Sequence, residues 1–415
     1  MESSKTAPVV DVRSSRYMIF LVVVMGLVSQ LDGWLSLIES TAVPFITTEF
    51  FAGDSAEFAL WQGLFGILVF LVFFIGWFGD AYGRKKGILL LVLVMGIPTI
   101  FITFLPTGPG SAVMFFILYS VVIMGTTSNL WEVPISEEAP ASRRGLYGSI
   151  AFLIGIIPFS AIIGVGIIAD YGWRWGYGVM FFFMIFLLIL LFFMKEPQRW
   201  VDKAAARTKK LGVMDALRSL RPEDKKYIAV SIIVYLAWTI SFKMATTFGG
   251  QYYIVTQGYT IDQWKSVVTI AGLLLPLSAL VSGILLDKIG RNYVLIIGTL
   301  GSVVSLLALE YTANPITYQA AYFFMAMVLA WIYVYLAEIF PTEVRATSIG
   351  VCVTGARFGY VIGPLIASAL LTMAPATMQN FWLVAGVIMF IPLLALLFKP
   401  LETKRKTLEE IEVER

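Results

Sequence analysis

The stretches GWFGDAYGRKK, residues 76–86, and GILLDKIGRNY, residues 283–293, decide how this chain is read. Gly76, Asp80, Gly83 and Arg84 of the first recur as Gly283, Asp287, Gly290 and Arg291 of the second, each at an offset of 207. A second pair of segments repeats nearly in step. In EEAPASRRG (137–145) and EIFPTEVRA (338–346), Glu137, Pro140 and Arg144 return as Glu338, Pro341 and Arg345, offset by 201. Two anchors at matching places in each half indicate a duplicated unit. Each anchor is a short polar loop between long apolar runs.

Those runs set the solvent. Of the 415 residues, 59% are hydrophobic and 14% charged, and the mean hydropathy is +0.84. A soluble domain of this make-up would expose large apolar patches and aggregate; a bilayer removes that objection. A helix needs roughly 20 apolar residues to cross the hydrocarbon. Twelve such spans are expected: Tyr17–Ile46, Phe58–Phe78, Gly87–Leu105, Ala112–Ile135, Leu146–Ala169, Tyr177–Met194, Tyr227–Gly249, Ser266–Leu286, Tyr293–Ala308, Ala320–Leu336, Ser348–Leu371 and Phe381–Phe398. The expected fold is all-α, with two six-helix bundles over 1–194 and 227–399, a linker over 195–226 and a tail over 400–415. The polar start lacks a signal-peptide pattern, so the first apolar run is expected to stay as a helix. Of the 30 Lys and Arg, 26 fall in the termini and alternate loops of one face, which places both termini in the cytoplasm. Parallel halves with a solute site between them describe a rocking carrier.

Composition also excludes functions. The net charge of +3 is too small to suggest nucleic acid. With no histidine, a proton-linked step must use carboxylates or lysine. The single cysteine, Cys352, offers neither a disulfide nor a metal set, and no cofactor is expected. No motif for a nucleophile or phosphate cradle marks an enzyme.

Ionisable residues inside spans are costly, about 2.5–3.5 kcal/mol at mid-bilayer, so each is a candidate site. Asp32, Glu39, Lys243 and Arg357 stand out, with Glu132 a weaker fifth. Glu39 lies seven residues beyond Asp32, two turns along the same helical face. Arg357 can clasp a carboxylate bidentately, while a buried Asp32 can take up and release a proton. The competing reading is an internal ion pair, such as Asp32 with Arg357. Trp34, Trp131, Trp238 and Trp331 could face an apolar solute or pack in lipid. In the repeated loops, Arg144 and Arg345 can pair with Glu137 and Glu338. Such pairs would either lock the inner gate or only fix loop geometry.

At these loops the chain resembles the major facilitator superfamily over nearly its whole length, and most of all its sugar porters, organic-ion transporters and aromatic-acid/proton symporters. KEPQRWV after span six is similar to the family's PESPRWL, and ETKRKTLEEIE in the tail to PETKGxxLEEI, with Arg405 in place of glycine. QLDGWLSLIESTAVPFI resembles the Asp-Gly-Tyr-Asp start of the aromatic-acid symporters, with Trp34 for the tyrosine and Leu35 for the second acid. Arg357, in TGARFGYVIGP, matches the arginine of organic-anion transporters. By the same resemblance, the glutamines and asparagine that hold sugars in span seven fall on Phe242, Lys243 and Phe248. The span-five glutamine falls near Phe152, and the stacking Trp of span ten on Tyr333. Sugar hydroxyls left unpaired there would each cost roughly 1–3 kcal/mol.

The expected function is therefore a monomeric, plasma-membrane carrier that moves a small organic anion together with a proton. A sugar or polyol porter is the alternative, and a non-transporting solute receptor a third reading.

Overall fold

The computed structural model describes residues 14–128, 130–139, 144–155, 163–198, 200–201, 222–340, 345–404, 406 and 408–414. The described chain is built from helices that are apolar on every face, with charges gathered at their ends, as a lipid-facing bundle requires. In the first half these are α1 (Ser15–Phe51), α2 (Ser55–Phe65, resuming as Val72–Tyr82 after a 3₁₀ turn), α3 (Arg84–Thr103) and α4 (Ala112–Thr126). Then follow α5, described as Arg144–Gly155 and Val165–Tyr171, and α6 (Trp173–Phe192). The second half holds α7 (Pro222–Gly250), α8 (Ile261–Lys288), α9 (Arg291–Thr312), α10 (Pro315–Ile339), α11 (Arg345–Arg357 and Gly359–Met373) and α12 (Phe381–Ala395). Among the described residues, eleven helices are long and apolar enough to cross a membrane. The two pieces of α5 occupy the twelfth place, which gives the twelve-helix fold expected from the sequence.

The expected fourth span, Ala112–Ile135, is not continuous. Helix α4 stops at Thr126, and a separate short helix runs Glu132–Glu138. The expected linker falls mostly outside the described residues.

The repeated glycines explain the tight loops. Gly83 and Gly290 precede α3 and α9 with φ of 118° and 113°, a region open to glycine and strained for other residues. The backbone amides they expose at the helix starts are capped by carboxylates from far along the chain. Glu196 accepts from the amides of Arg84 and Lys85, and Glu402 from those of Arg291 and Asn292. Burial pushes the Glu196 carboxyl above its ordinary value, against the pull of those amides.

These loops mark one end of the bundle, here the basic end. At the opposite end the halves meet. The α7 backbone at Gly250 lies directly on the Ser40 carbonyl of α1 with no room for a Cβ, and Gly63 of α2 lies against Leu365 of α11. Ser368 donates to the Ala56 carbonyl at 2.7 Å and Trp264 Nε1 to Thr41 Oγ1 at 2.9 Å. Gly250→Ala is expected to cost about 1–3 kcal/mol by overpacking this seam, seen as a lower melting temperature of the purified protein.

Candidate functional site

Between the halves lies a cavity of about 350 Å³. It reaches from Glu39 and Lys243, past Asp32 and Arg357, to Trp131, Gly283 and Leu286 near the basic end. All four intramembrane ionisable residues singled out from the sequence therefore meet at one place. An internal ion pair does join the halves, but between Glu39 and Lys243 rather than Asp32 and Arg357.

Glu39 is the centre of the arrangement. Lys243 Nζ donates to its Oε2 at 2.8 Å and to Oε1 at 3.1 Å, joining α1 to α7 across the two halves. Thr247, one turn along α7, donates to Oε1 at 2.9 Å. From the first half, Tyr119 of α4 donates at 2.5 Å and Gln62 of α2 at 2.9 Å. Only 2% of Glu39 is exposed, so this is a desolvated ion pair whose carboxylate is fully supplied with donors. The close approach at Gly250, two turns beyond Lys243, brings the helices near enough for it. Tyr119, Gln62 and Thr247 are absent from the sequence reading. Polar residues in apolar spans were the available signal, but which of them face inward depends on how each helix is rotated.

Asp32 sits about 10 Å below Glu39 along α1, at 1.5 Å per residue. Its carboxylate bonds the Ser36 hydroxyl. Among the described residues no cation lies within ion-pair distance of it, although Arg357 and Lys243 act on it from farther away. The Asp32–Arg357 pair considered from the sequence does not form. Arg357 instead donates through Nη2 to the Thr127 carbonyl and lies over the Tyr360 ring, 5.8 Å from its centroid. Both contacts have local causes. The interruption of α4 after Thr126 leaves a turn carbonyl pointing across to the other half. Arg357 is the last residue of the first piece of α11. Its Nε, also buried, has no hydrogen-bond partner among the described residues. The same Tyr360 ring faces Lys243 at 5.4 Å.

The aromatic candidates divide. Trp131, Trp238 and Tyr333 line the cavity together with Phe152 and Phe242. Trp34 turns away: its Nε1 donates to the Gly176 carbonyl of α6 at 2.8 Å, so it is a packing residue. Trp331 stacks on Tyr335, with ring centroids 4.4 Å apart, away from the cavity. Phe248 is buried between Phe58 and Phe381.

At the basic end Glu137 and Glu338 each hold an arginine that starts a neighbouring helix. Arg84 bonds Glu137, with Nη2 to Oε1 at 2.9 Å, and Arg291 bonds Glu338 at 2.7 Å. The expected partners Arg144 and Arg345, like Asp80, have side chains outside the described residues. Each observed pair lies within one half, because Arg84 and Arg291 start helices that adjoin the ends of the fourth and tenth spans. Asp287 is 79% exposed and touches Arg291 only at 3.4 Å. Asp287→Asn is therefore expected to change the melting temperature little, and Glu338→Gln to lower it distinctly, since Glu338 also accepts from Thr403 at 2.6 Å. Gly76 and Gly283 face no nearby atoms in this conformation.

The family model of the Major Facilitator Superfamily matches residues 18–325 and 262–414. The chain belongs to that superfamily. The arabinose-proton symporter of Bacillus subtilis (strain 168) is 23% identical over 98% of this chain and 96% of its own length. The glucose transporter GlcP of Staphylococcus epidermidis is 25% identical over 81% of this chain and 83% of its own. The putative metabolite transport protein YwtG of Bacillus subtilis (strain 168) is 25% identical over 80% and 81%. Among solved structures, the inward open conformation of the xylose transporter XylE from E. coli superposes with a TM-score of 0.75 at 19% identity, covering 96% of this chain and all of that one. That likeness concerns the fold. The protein is a multi-pass membrane transporter of the major facilitator superfamily, in keeping with the twelve-helix reading of its sequence.

Proposed function

We propose that this transporter is a proton-coupled symporter of a sugar or related polyol, working by alternating access. This reverses the order of the two readings drawn from the sequence. The observation that carries it is the state of the two cations. Lys243 is held by Glu39, and Arg357 is turned toward a carbonyl and an aromatic face, so both cations are largely engaged within the protein rather than set out for an anionic solute. What the cavity offers instead is hydroxyls and ring faces, among them Ser36, Thr239, Thr246, Tyr322, Trp131 and Trp238. Hydroxyls exchange donor and acceptor roles with a polyol, and flat aromatic faces suit the apolar side of a sugar ring. The relative matched over nearly the whole chain is named an arabinose-proton symporter, which supports both solute and ion.

In this reading Asp32 carries the proton. Residues 1–194 and 227–399 are the two bodies that rock, with 195–226 as linker and 400–415 as tail. The basic end faces the cytoplasm of a cell whose plasma membrane holds the protein as a monomer. The conformation described here is then closed outside and open inside. A reporter fused after Arg415 should score as cytoplasmic, and an external score would overturn the orientation. Binding is tested by melting-temperature shifts against sugars, polyols and carboxylic acids, since a ligand stabilises the state it binds.

A second reading rests on the buried Arg357 Nε, a donor without a partner among the described residues, on a side chain that borders the cavity. A carboxylate could take it, which would restore an organic-anion substrate. Stabilisation by carboxylic acids alone would favour that reading over the sugar.

A further inference from the structure

We propose that Glu39 is a second proton-binding group of the transport cycle, a latch residue that takes up a proton when the two halves part at the end opposite the basic loops. The inference rests on alternating access alone and holds whichever solute is carried.

The contacts of Glu39 are divided between the two halves. Of the five hydrogen bonds that reach Glu39, those from Tyr119 and Gln62 come from its own half. Those from Lys243 and Thr247 come from the other. The latch lies on the seam side of the cavity, with the Ser40–Gly250 and Ala56–Ser368 contacts beyond it. Opening that side to admit solute must draw α7 away from α1. Tyr119 and Gln62 remain with Glu39; the cation and Thr247 leave.

Charge then dictates the consequence. A carboxylate that loses its counter-ion loses the attraction that holds it ionised and binds a proton more readily. The groups around Glu39 do not replace Lys243. From α1 there is Asp32, an acid; from α4, α6, α10 and α11 there are Tyr119, Tyr177, Tyr322 and Tyr360, all neutral phenols; from α2 there is Gln62. Arg357 is engaged with Thr127. The proton affinity of Glu39 is therefore higher in the outward-open state than in the closed one. By linkage, protons favour that state. Gln62 Oε1, buried without a partner among the described residues, supplies an acceptor beside Tyr119 that supports the protonated network.

The test uses the single native cysteine, which is buried and so gives little background labelling. Ser368→Cys reports the outer seam, and Glu57→Cys, exposed at the start of α2, corrects for the pH dependence of the thiol reaction. Labelling rates are measured in the full-length protein without solute, as the ratio of the two positions. In the Glu39 background the ratio should rise about threefold or more between about pH 8 and about pH 5.5. With Glu39→Gln it should be high at both values and flat. Asp32→Asn should leave the pH dependence in place, which separates this proposal from the role given to Asp32. If Glu39→Gln fails to fold, the neutral pair Glu39→Gln with Lys243→Met is used and should also be flat. A pH dependence that survives in the Glu39 variants, or none in the parent, overturns the proposal and leaves the pair a structural tie. Neither result bears on the solute.

Discussion

Asp32→Asn should abolish uphill, pH-driven uptake while leaving counterflow exchange partly intact. Asp32 is the intramembrane carboxylate that borders the cavity with no cation in contact among the described residues, so its charge is free to change during the cycle. Net uptake requires the empty carrier to return with a different protonation state from the loaded one. Exchange of solute for solute does not. The amide keeps the shape and an acceptor oxygen for the Ser36 hydroxyl but cannot ionise. Reconstituted into vesicles, the variant should equilibrate labelled solute without concentrating it. Exchange should stay within roughly tenfold of the parent, a barrier change of about 1.4 kcal/mol. Full accumulation by the variant would remove Asp32 from the coupling step and leave Glu39 as the carboxylate to pursue.

Arg357→Ala should lower stability by about 1–3 kcal/mol, the cost of stranding a buried acceptor at the Thr127 carbonyl. Adding Asp32→Asn should not restore it. The distinction matters because a direct Asp32–Arg357 pair makes the opposite forecast. Breaking a buried pair from one side costs roughly 3–5 kcal/mol, and neutralising the abandoned partner recovers much of that. Arg357→Lys keeps a charge over Tyr360 but loses the planar fork that spans the ring and the carbonyl. It should behave between the parent and alanine in melting temperature. If sugar binding survives all three variants with modest loss, Arg357 ties α11 to the end of α4. If binding of a carboxylic acid vanishes with them, Arg357 is a substrate group and the second reading stands.

The sequence and the structure part company at identifiable places. The spans and the duplicated loops are legible because hydropathy and exact spacing are one-dimensional signals. Gly83 and Gly290 are legible too, since their backbone angles admit little else. The Glu39–Lys243 pair is not, because its members lie 204 residues apart and either could as well have faced Asp32, Arg357 or lipid. Only the rotation of α1 and α7, set by packing such as Gly250 on Ser40, decides it. Glu137 shows the same limit. Its described partner, Arg84, is 53 residues away in sequence and is brought to it by the adjoining helix start. Likewise, an aromatic in an apolar span carries no mark of its direction, which is why Trp34 and Trp238 read alike and end on different surfaces. The break in α4 follows no proline or glycine at the break itself, and with it the docking of Arg357 was hidden.

The central claim is transport of a neutral polyhydroxylated solute with a proton, and charge movement tests it most directly. A sugar carried with one proton moves net positive charge, whereas a monovalent carboxylate carried with one proton moves none. The measurement is uptake by vesicles containing the purified protein, across a panel of pentoses, hexoses, polyols and monocarboxylates. An alkaline interior is imposed first, and then a negative interior potential alone. The account predicts accumulation of at least one sugar or polyol under both conditions, collapsed by a protonophore. Accumulation of a carboxylate under the pH gradient only, with no sugar concentrated under either, would contradict it.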